Sequence, residues 1–240
     1  MLKLRNITFF CVLITLFSCI GLRKTTSIDK KPFIEISTNY GKMIVDLYDK
    51  TPLHKANFIK LSNQKYYDST LFHRVIKKFM IQGGDPDSKN APRNKSLGNG
   101  GPGYRIPAEF DSTLFHKKGV IAAARDNNLK KESSGSQFYI VQGKVYTLTQ
   151  LKQFEKRYEL KKPGFKFSEE QIKAYTTVGG TPHLDGDYTV FGEVISGIEV
   201  LDKIAVVKQN RGLGNRPILD VRMFVKVIYL SEKEVLKLKS

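Results

Sequence analysis

The stretch FHRVIKKFMIQGGD, residues 72–85, decides the fold and marks the candidate site. It places one cation, Arg74, a few residues before an apolar pair, Phe79 and Met80. An amide, Gln82, follows and stands directly before two glycines. A cation beside an apolar pocket can hold a ring and act on the bond next to that ring. We therefore expect this segment to carry the chemistry of the chain.

The composition indicates a globular chain with a basic surface. The chain has 240 residues, of which 40% are apolar, and this suits one domain with additions and a real core. Lys and Arg number 40 against 23 acidic residues, so the formal net charge is +17. The charge is spread along the chain, without an arginine-rich run or an aromatic–basic alternation. We interpret it as a solvated basic surface and expect no nucleic-acid partner.

The N-terminus is typical of a bacterial lipoprotein. Lys3 and Arg5 precede an apolar run over residues 7–17, which is too short to span a bilayer as a stable anchor. The run ends in Leu16-Phe17-Ser18-Cys19, which resembles a lipobox with cleavage before the cysteine. The pattern predicts a signal peptide over residues 1–18 and a tether over residues 19–31. A retained signal anchor is the alternative.

The cysteines agree with this interpretation. Cys11 lies inside the predicted signal and Cys19 lies at the cleavage point, so no other thiol remains for a disulfide framework. We therefore predict lipidation at Cys19, and a diacyl or triacyl anchor gives firm membrane attachment. The expected localisation is the bacterial cell envelope, as a membrane-anchored lipoprotein in the periplasm.

Alternating apolar residues predict a β-rich domain. Residues 33–37 and 42–47 read as a hairpin around Asn39-Tyr40-Gly41. Further short strands are predicted over residues 120–124, 137–141, 189–195 and 222–230. Two helices are expected, one from Thr51-Pro52 to Asn63 and one over residues 197–204. Many short strands with two helices indicate a closed antiparallel barrel that is capped at its ends.

The caps and buried sides of these two helices also follow from the sequence. Thr51 suits the N-cap of the first helix, and Ser196 suits that of the second. The residues expected on the buried side of the first helix are Ala56, Phe58, Ile59 and Leu61.

Residues 144–175 do not fit the barrel plan and predict an inserted helical hairpin. Apolar residues recur at helical spacing from Leu148 to Tyr158, and Pro163-Gly164 ends this run. Ser168 followed by Gln171 is typical of a capping box that opens a second helix. We expect the apolar stripe to pack on the barrel, and a partner-binding surface is the alternative.

Several weaker motifs point to other kinds of site. Gly98, Gly100 and Gly103 satisfy a dinucleotide-binding pattern, but the prolines that follow prevent the helix that this site requires. The four histidines have no metal-ligand spacing, and we expect no metal. Asp185-Gly186-Asp187 reads as a turn, and the serines over residues 133–136 lack the setting of a hydrolase nucleophile.

Five blocks, in order, resemble the cyclophilins, the cyclosporin-binding family of peptidyl-prolyl cis–trans isomerases. The first is the stretch over residues 72–85 quoted above. The others are GNGGPGY with IPAEF (98–104 and 106–110), GVIAAAR (119–125), GSQFYI (135–140) and HLDGDYTVFG (183–192). The resemblance implies a mainly β fold, a closed antiparallel eight-stranded barrel capped by two helices. The isomerase domain would span residues 32–231 and include the insertion, and a basic tail would follow over residues 232–240.

The resemblance also implies the site residues. Arg74 would be the catalytic cation, and Gln82 would hold its guanidinium. The proline pocket and the groove around it would be formed by Phe79, Met80, Ala124, Arg125, Gln137, Tyr139, His183, Leu184 and Tyr188. No cofactor is implied.

Four of these positions differ from the well-known members of the family. Those members have phenylalanine where Tyr139 stands, tryptophan where His183 stands and histidine where Tyr188 stands. Tyr139 keeps the ring but adds a hydroxyl that needs a partner, and His183 lacks the indole donor that cyclosporin uses. Arg125 stands at an asparagine-like position whose backbone the family uses.

The implied function is an enzyme that accelerates rotation about X–Pro bonds during protein folding. Its expected partners are proline-containing unfolded or partly folded proteins and the membrane, and the chain is expected to be a monomer. The first alternative is a non-catalytic chaperone or scaffold module that binds peptides in the same groove. The second is attachment to anionic envelope polymers through the basic insertion.

Overall fold

The computed structural model describes residues 30–160 and 162–239, so the predicted signal peptide, Cys19 and nearly all of the tether lie outside the described residues. The strands are β1 (Lys30–Thr38), β2 (Gly41–Leu47), β3 (Arg74–Ile76), β4 (Met80–Gly83), β5 (Arg105–Ile106), β6 (Val120–Ala123), β7 (Ser133–Ser134), β8 (Phe138–Val141), β9 (Val190–Ser196), β10 (Gln209–Asn210), β11 (Arg216–Pro217) and β12 (Met223–Ser231). The helices are α1 (Pro52–Asn63), α2 (Leu148–Glu159), α3 (Glu169–Thr177), α4 (Ile198–Ala205) and α5 (Glu232–Lys239). Across these two ranges no helix has the length and apolar character needed to cross a membrane.

Eight strands form one antiparallel sheet in the order β12-β1-β2-β9-β6-β8-β4-β3, and the sheet curls into a half-barrel. Two further two-stranded sheets pair β5 with β7 and β10 with β11. The open side of the half-barrel, between β3 and β12, is bridged by the segment that precedes β3. There the amides of Ser69 and Phe72 donate to the carbonyls of Met223 and Val221, each at 2.9 Å. The predicted eight-stranded antiparallel sheet is therefore present, but it forms a half-barrel and not the predicted closed barrel, because β3 and β12 are bridged by this segment and do not pair with each other.

The main core lies inside the curled sheet. Alternate residues of the first hairpin, including Ile34, Ile36, Met43 and Val45, are fully buried, as their period of two requires. Helices α1 and α4 each add an apolar face to this core. Each fully buried aliphatic side chain of this kind stabilises the fold by about 1.5–3 kcal/mol.

Helix α1 has the predicted bounds but a different cap. Thr51 is the N-cap residue, yet its hydroxyl donates to the carbonyl of Tyr48 and makes no cap bond. The Glu109 carboxylate accepts instead from the amides of Leu53 and His54, at 3.0 and 2.9 Å. These two hydrogen bonds hold the loop that follows the glycine-rich segment against the start of α1.

Two expectations about the two predicted helices were wrong. Ala56 is exposed, and the buried face of α1 includes His54 in its place. Helix α4 has Gly197 at its N-cap position, not Ser196. The backbone at Gly197 has φ +84°, a left-handed conformation that glycine adopts without steric cost.

The inserted hairpin consists of α2 and α3, and both helices open with complete capping boxes. Ser168 and Gln171 form the predicted one, and Thr147 and Gln150 form another. A third hydrophobic cluster lies between the hairpin and the barrel, where the rings of Phe115 and Tyr175 are 5.6 Å apart. Leu151 of the predicted stripe is buried in this cluster and Phe154 packs against it, but Leu148 is exposed, so the predicted packing on the barrel holds for part of the stripe.

The predicted basic tail is a helix in the structure. Helix α5 begins directly after β12, and the Glu234 carboxylate accepts from both the amide and the hydroxyl of Ser231 at 2.7 Å. These hydrogen bonds lower the pKa of Glu234 to about 2. A serine followed three residues later by a glutamate signals a helix start, so the sequence contained this information.

Candidate active site

The hairpin of β3 and β4 brings Arg74 and Gln82 together. The two residues are register partners on adjacent antiparallel strands, so their side chains leave the same face of the sheet. An Nη1 proton of Arg74 is donated to Oε1 of Gln82 across 3.0 Å. The pairing fixes the direction of the guanidinium before any ligand arrives.

A chain of amides continues from this pair to the glycine-rich loop. Nε2 of Gln82 donates to Oε1 of Gln137 at 3.1 Å, and Nε2 of Gln137 donates to the carbonyls of Gly98 and Gly100 at 2.9 and 2.8 Å. The buried Asp85 carboxylate holds the loop by accepting from the amide of Gly98 at 2.6 Å. Because a guanidinium can only donate and a backbone carbonyl can only accept, the two ends of this chain determine the orientation of both glutamine amides.

An apolar cluster lies beside the guanidinium. It contains four of the predicted site residues that lie on or next to strands β4, β6 and β8, namely Phe79, Met80, Ala124 and Tyr139, and two from the 183–192 segment, Leu184 and Tyr188. Among these, Met80, Ala124 and Tyr139 are buried and form the floor. The others are half-buried and form the wall.

The guanidinium of Arg74 is close to this wall and carries an uncompensated charge. Its central carbon lies 6.0 Å from the centroid of the Phe79 ring. Burial lowers the pKa of Arg74, but an arginine stays protonated at any physiological pH. Within residues 30–160 and 162–239 no carboxylate lies within 4.0 Å of its nitrogens. The cation is therefore available to a ligand that enters the cluster.

A cavity of about 750 Å³ opens on the other side of the amide chain. Its lining includes Gln82, Ala124, Arg125 and Gln137 together with the backbone of residues 98–101. The cavity and the apolar cluster share Ala124, so the two adjoin each other.

The remaining predicted residues lie at the rim. The exposed His183 ring stacks on Phe79, with centroids 5.6 Å apart, and burial of part of the ring lowers the pKa of His183. The Arg125 side chain turns back onto the rim, where Nε donates to the carbonyl of Asp187 at 2.8 Å and the guanidinium covers the Tyr188 ring. The structure thus brings all eleven predicted residues into one site.

Two functional neighbours were missed from the sequence. The hydroxyl of Tyr139 bonds to Nε2 of the buried His116, and Nδ1 of His116 bonds to the Asp185 carboxylate at 2.8 Å. The need of that hydroxyl for a partner was the available signal, but the partner lies 23 residues away and is set by the fold alone. Asp185 does lie in a turn, as predicted, and also accepts from the Tyr175 hydroxyl of α3.

Comparisons with known proteins agree with this geometry. Residues 33–226 match the family described as cyclophilin type peptidyl-prolyl cis-trans isomerase/CLD. A putative peptidyl-prolyl cis-trans isomerase of Staphylococcus epidermidis is 36% identical over 197 residues, which are 80% of this chain and 89% of that protein. A putative bifunctional phosphatase/peptidyl-prolyl cis-trans isomerase of Streptococcus pyogenes is 37% identical over 196 residues, which are 79% of this chain but 37% of that protein.

Solved structures give the same result. The crystal structure of a Cryptosporidium parvum cyclophilin type peptidyl-prolyl cis-trans isomerase, obtained in the presence of the dipeptide ala-pro, has a TM-score of 0.59 and 25% sequence identity. It covers 83% of this chain and 99% of its own. The family match spans most of the 240 residues, and it includes both the sheet and the Arg74 hairpin. The chain therefore belongs to the cyclophilin-type peptidyl-prolyl cis–trans isomerases, the enzymes of class EC 5.2.1.8.

Proposed function

We propose that Arg74 catalyses cis–trans isomerisation of X–Pro bonds in proteins that fold in a bacterial cell envelope. The observation that carries this proposal is the guanidinium itself. Gln82 orients it, no carboxylate of the described ranges neutralises it, and it lies 6.0 Å from the Phe79 ring at the edge of an apolar cluster. The cluster suits a proline ring, and the cavity beyond Gln82 accepts the neighbouring residues of the peptide.

The chemistry follows from the electronic structure of the imide. Rotation about the C–N bond breaks amide resonance, with a barrier of about 18–20 kcal/mol, so uncatalysed exchange takes about 10–100 s. In the half-rotated state the nitrogen has lost conjugation and carries an available lone pair. Arg74 donates a hydrogen bond to this nitrogen, which cannot accept one in the planar ground state. An interaction that exists only in the transition state is the kind that lowers the barrier.

The pocket and the amide chain prepare this interaction. Ring contacts with Phe79, Leu184 and Tyr188 hold the proline while the preceding carbonyl swings. The fixed donor needs no reorganisation as the bond twists, because Gln82 and Gln137 already orient it. Shortening exchange from tens of seconds to about a millisecond is a gain of about 10⁴-fold, or about 5–6 kcal/mol. One charged hydrogen bond with ring immobilisation is of this order.

The proposed location depends on the N-terminal sequence. The charged segment, the short apolar run and Cys19 support export and lipid anchoring, with proline-containing unfolded proteins of the envelope as substrates. Labelling of cells with a radioactive fatty acid tests this directly. Label should enter the full-length protein and be absent from Cys19→Ser, whereas equal labelling of both, or of neither, contradicts the proposal.

Activity is tested separately by two-dimensional NMR exchange on a proline tetrapeptide. Exchange cross-peaks that grow in proportion to added protein support catalysis. Line broadening or shift changes would show that the peptide binds. If the bound peptide does not exchange faster, the chain is a binding module without isomerase activity.

A further inference from the structure

A second cavity, of about 580 Å³, lies where the inserted hairpin meets the rim of the proline pocket. Helix α2 contributes Phe154, Arg157 and Tyr158 to its lining, and the loop after α2 contributes Lys162. The barrel contributes Lys131, His183 and Asp187. The hydroxyl of Tyr158 donates to the carbonyl of Pro182 at 3.4 Å, which ties the helix to the turn that carries His183. We call this cavity the hairpin subsite.

The hairpin subsite is strongly cationic. Three basic side chains face one carboxylate, and that carboxylate, Asp187, already forms an ion pair with Lys131. Neither Arg157 nor Lys162 lies within 4.0 Å of a carboxylate in the described ranges. Glu159, the last acidic residue of α2, does not line the cavity, and its carboxylate accepts from the amide of Gly164 at 2.9 Å. Two cations therefore face the cavity without a counter-charge.

Phe154 holds Arg157 in place, and Lys162 lies against the rim of the pocket. The Arg157 guanidinium lies over the Phe154 ring, 4.4 Å from its centroid. The ammonium of Lys162 reaches the loop of the pocket rim, since a Cβ atom at Gly186 would lie 3.0 Å from its nitrogen. An arginine that stacks on a ring keeps its N–H edges free for a bidentate carboxylate.

The hairpin subsite adjoins the proline pocket at His183. This residue lines the subsite, and its ring stacks on Phe79, which stands beside Arg74. The Arg74 guanidinium and the His183 ring are therefore at most about 12 Å apart, which an extended peptide covers in about three residues. A substrate whose proline lies in the pocket can place a nearby side chain in the subsite.

We propose that the hairpin subsite binds an acidic side chain of the substrate, within about three residues of the proline, and makes the enzyme prefer such sequences. Arg157 and Lys162 are the specificity-determining residues. This inference rests on the proposed isomerase activity and gives the insertion a function that the barrel alone does not supply.

The test compares two peptides that differ only by glutamate or glutamine within three residues of the proline, scanned over both sides of the ring. NMR exchange gives kcat/KM for the full-length chain at low salt. We expect the glutamate peptide to be preferred by about three- to tenfold at one position, which is the effect of two partly exposed ion pairs. The preference should decline as salt is raised, because salt screens exposed charges.

The decisive variant is Arg157→Gln/Lys162→Gln, for which the ratio of the two rates should fall to about one. Lys152→Gln/Lys156→Gln is the matched control, because it removes the same charge from exposed positions of α2 that do not line the cavity. The control should keep the wild-type ratio. Since the ratio is internal to each protein, partial unfolding lowers both rates and does not imitate the effect.

The outcomes separate this inference from the proposed activity. If neither peptide exchanges faster with wild-type protein, the isomerase activity fails. If both are catalysed equally at every position, or if the preference survives in Arg157→Gln/Lys162→Gln, the activity stands and the subsite is overturned.

Discussion

The phenol hydroxyl of Tyr139 and Nε2 of His116 lie 2.9 Å apart beneath the proline pocket. Both side chains are buried, and their rings are nearly parallel, with centroids 6.0 Å apart. The Asp185 carboxylate accepts from the other ring nitrogen of His116, which sets the orientation of the imidazole. The aromatic floor of the pocket is thus supported by hydrogen bonds on the side that faces away from the pocket.

Replacing Tyr139 by phenylalanine should therefore affect stability more than catalysis. The ring that would contact proline in the proposed site stays, but the His116 nitrogen loses its partner in the interior, which costs about 1–3 kcal/mol. Urea unfolding measures this loss, and NMR exchange should show kcat/KM within about twofold of wild type. Tyr188→Phe is the control, since no hydrogen bond of its hydroxyl is present within the described ranges. Equal stability of the two variants would contradict the role of the buried bond.

Removal of the Arg74 side chain should abolish most of the catalysis. Loss of one preorganised donor lowers rates by about 10²–10³-fold, and Arg74→Ala should fall in this range in kcat/KM. Lys77→Ala removes the same charge from the exposed turn of the same hairpin and should leave the rate near that of wild type. A similar decrease in both variants would mean that net charge, not the positioned donor, is responsible.

The bond between Gln82 and Arg74 predicts that the two residues act as a unit. Gln82→Leu should lower kcat/KM about tenfold, because the guanidinium keeps its charge but loses its orientation. In a double-mutant cycle, Gln82→Leu added to Arg74→Ala should cause almost no further loss of activity. If the decreases in kcat/KM of the two single variants multiply in the double variant, Gln82 acts independently of Arg74, for example by holding Gln137.

Because several histidines are buried, we expect acid to lower the free energy of unfolding. Burial lowers the pKa of His73 to about 4, against the opposing effect of Asp85, while the unfolded value is about 6.5. Between these values the unfolded chain binds the extra proton, so the free energy of unfolding falls as the pH drops, by about 3 kcal/mol in total. Urea unfolding between about pH 7 and about pH 4 measures the decrease.

The contribution of His73 is isolated by His73→Asn, which cannot titrate. Burial also lowers the pKa of His54 and His183, so the variant should keep a smaller pH dependence than wild type. Identical pH profiles for the two proteins would exclude His73 as the source.

Features set by neighbouring residues could be predicted from the sequence. The first hairpin, the Ser168–Gln171 capping box and the juxtaposition of Arg74 with Phe79 depend on strand alternation, caps and a short turn, all of which are local. The inserted hairpin was also visible, because its apolar spacing is helical where the barrel pattern would require alternation.

Features set by distant residues could not be predicted in the same way. Glu109 caps α1 from 55 residues away, and its carboxylate also bonds to Nδ1 of the buried His54, whereas Ala56 is exposed. The partner of Tyr139 is likewise fixed by tertiary structure. The hairpin subsite combines helix α2 with two barrel loops, and no single stretch of sequence contains it.

The Asp185 carboxylate links the barrel to the insertion. One of its oxygens accepts from His116 of the barrel, and the other accepts from Tyr175 of α3 at 2.6 Å. Excising the hairpin would leave one oxygen of this largely buried carboxylate without its Tyr175 donor. A version of the chain that lacks the hairpin should therefore be destabilised unless residue 185 is replaced as well.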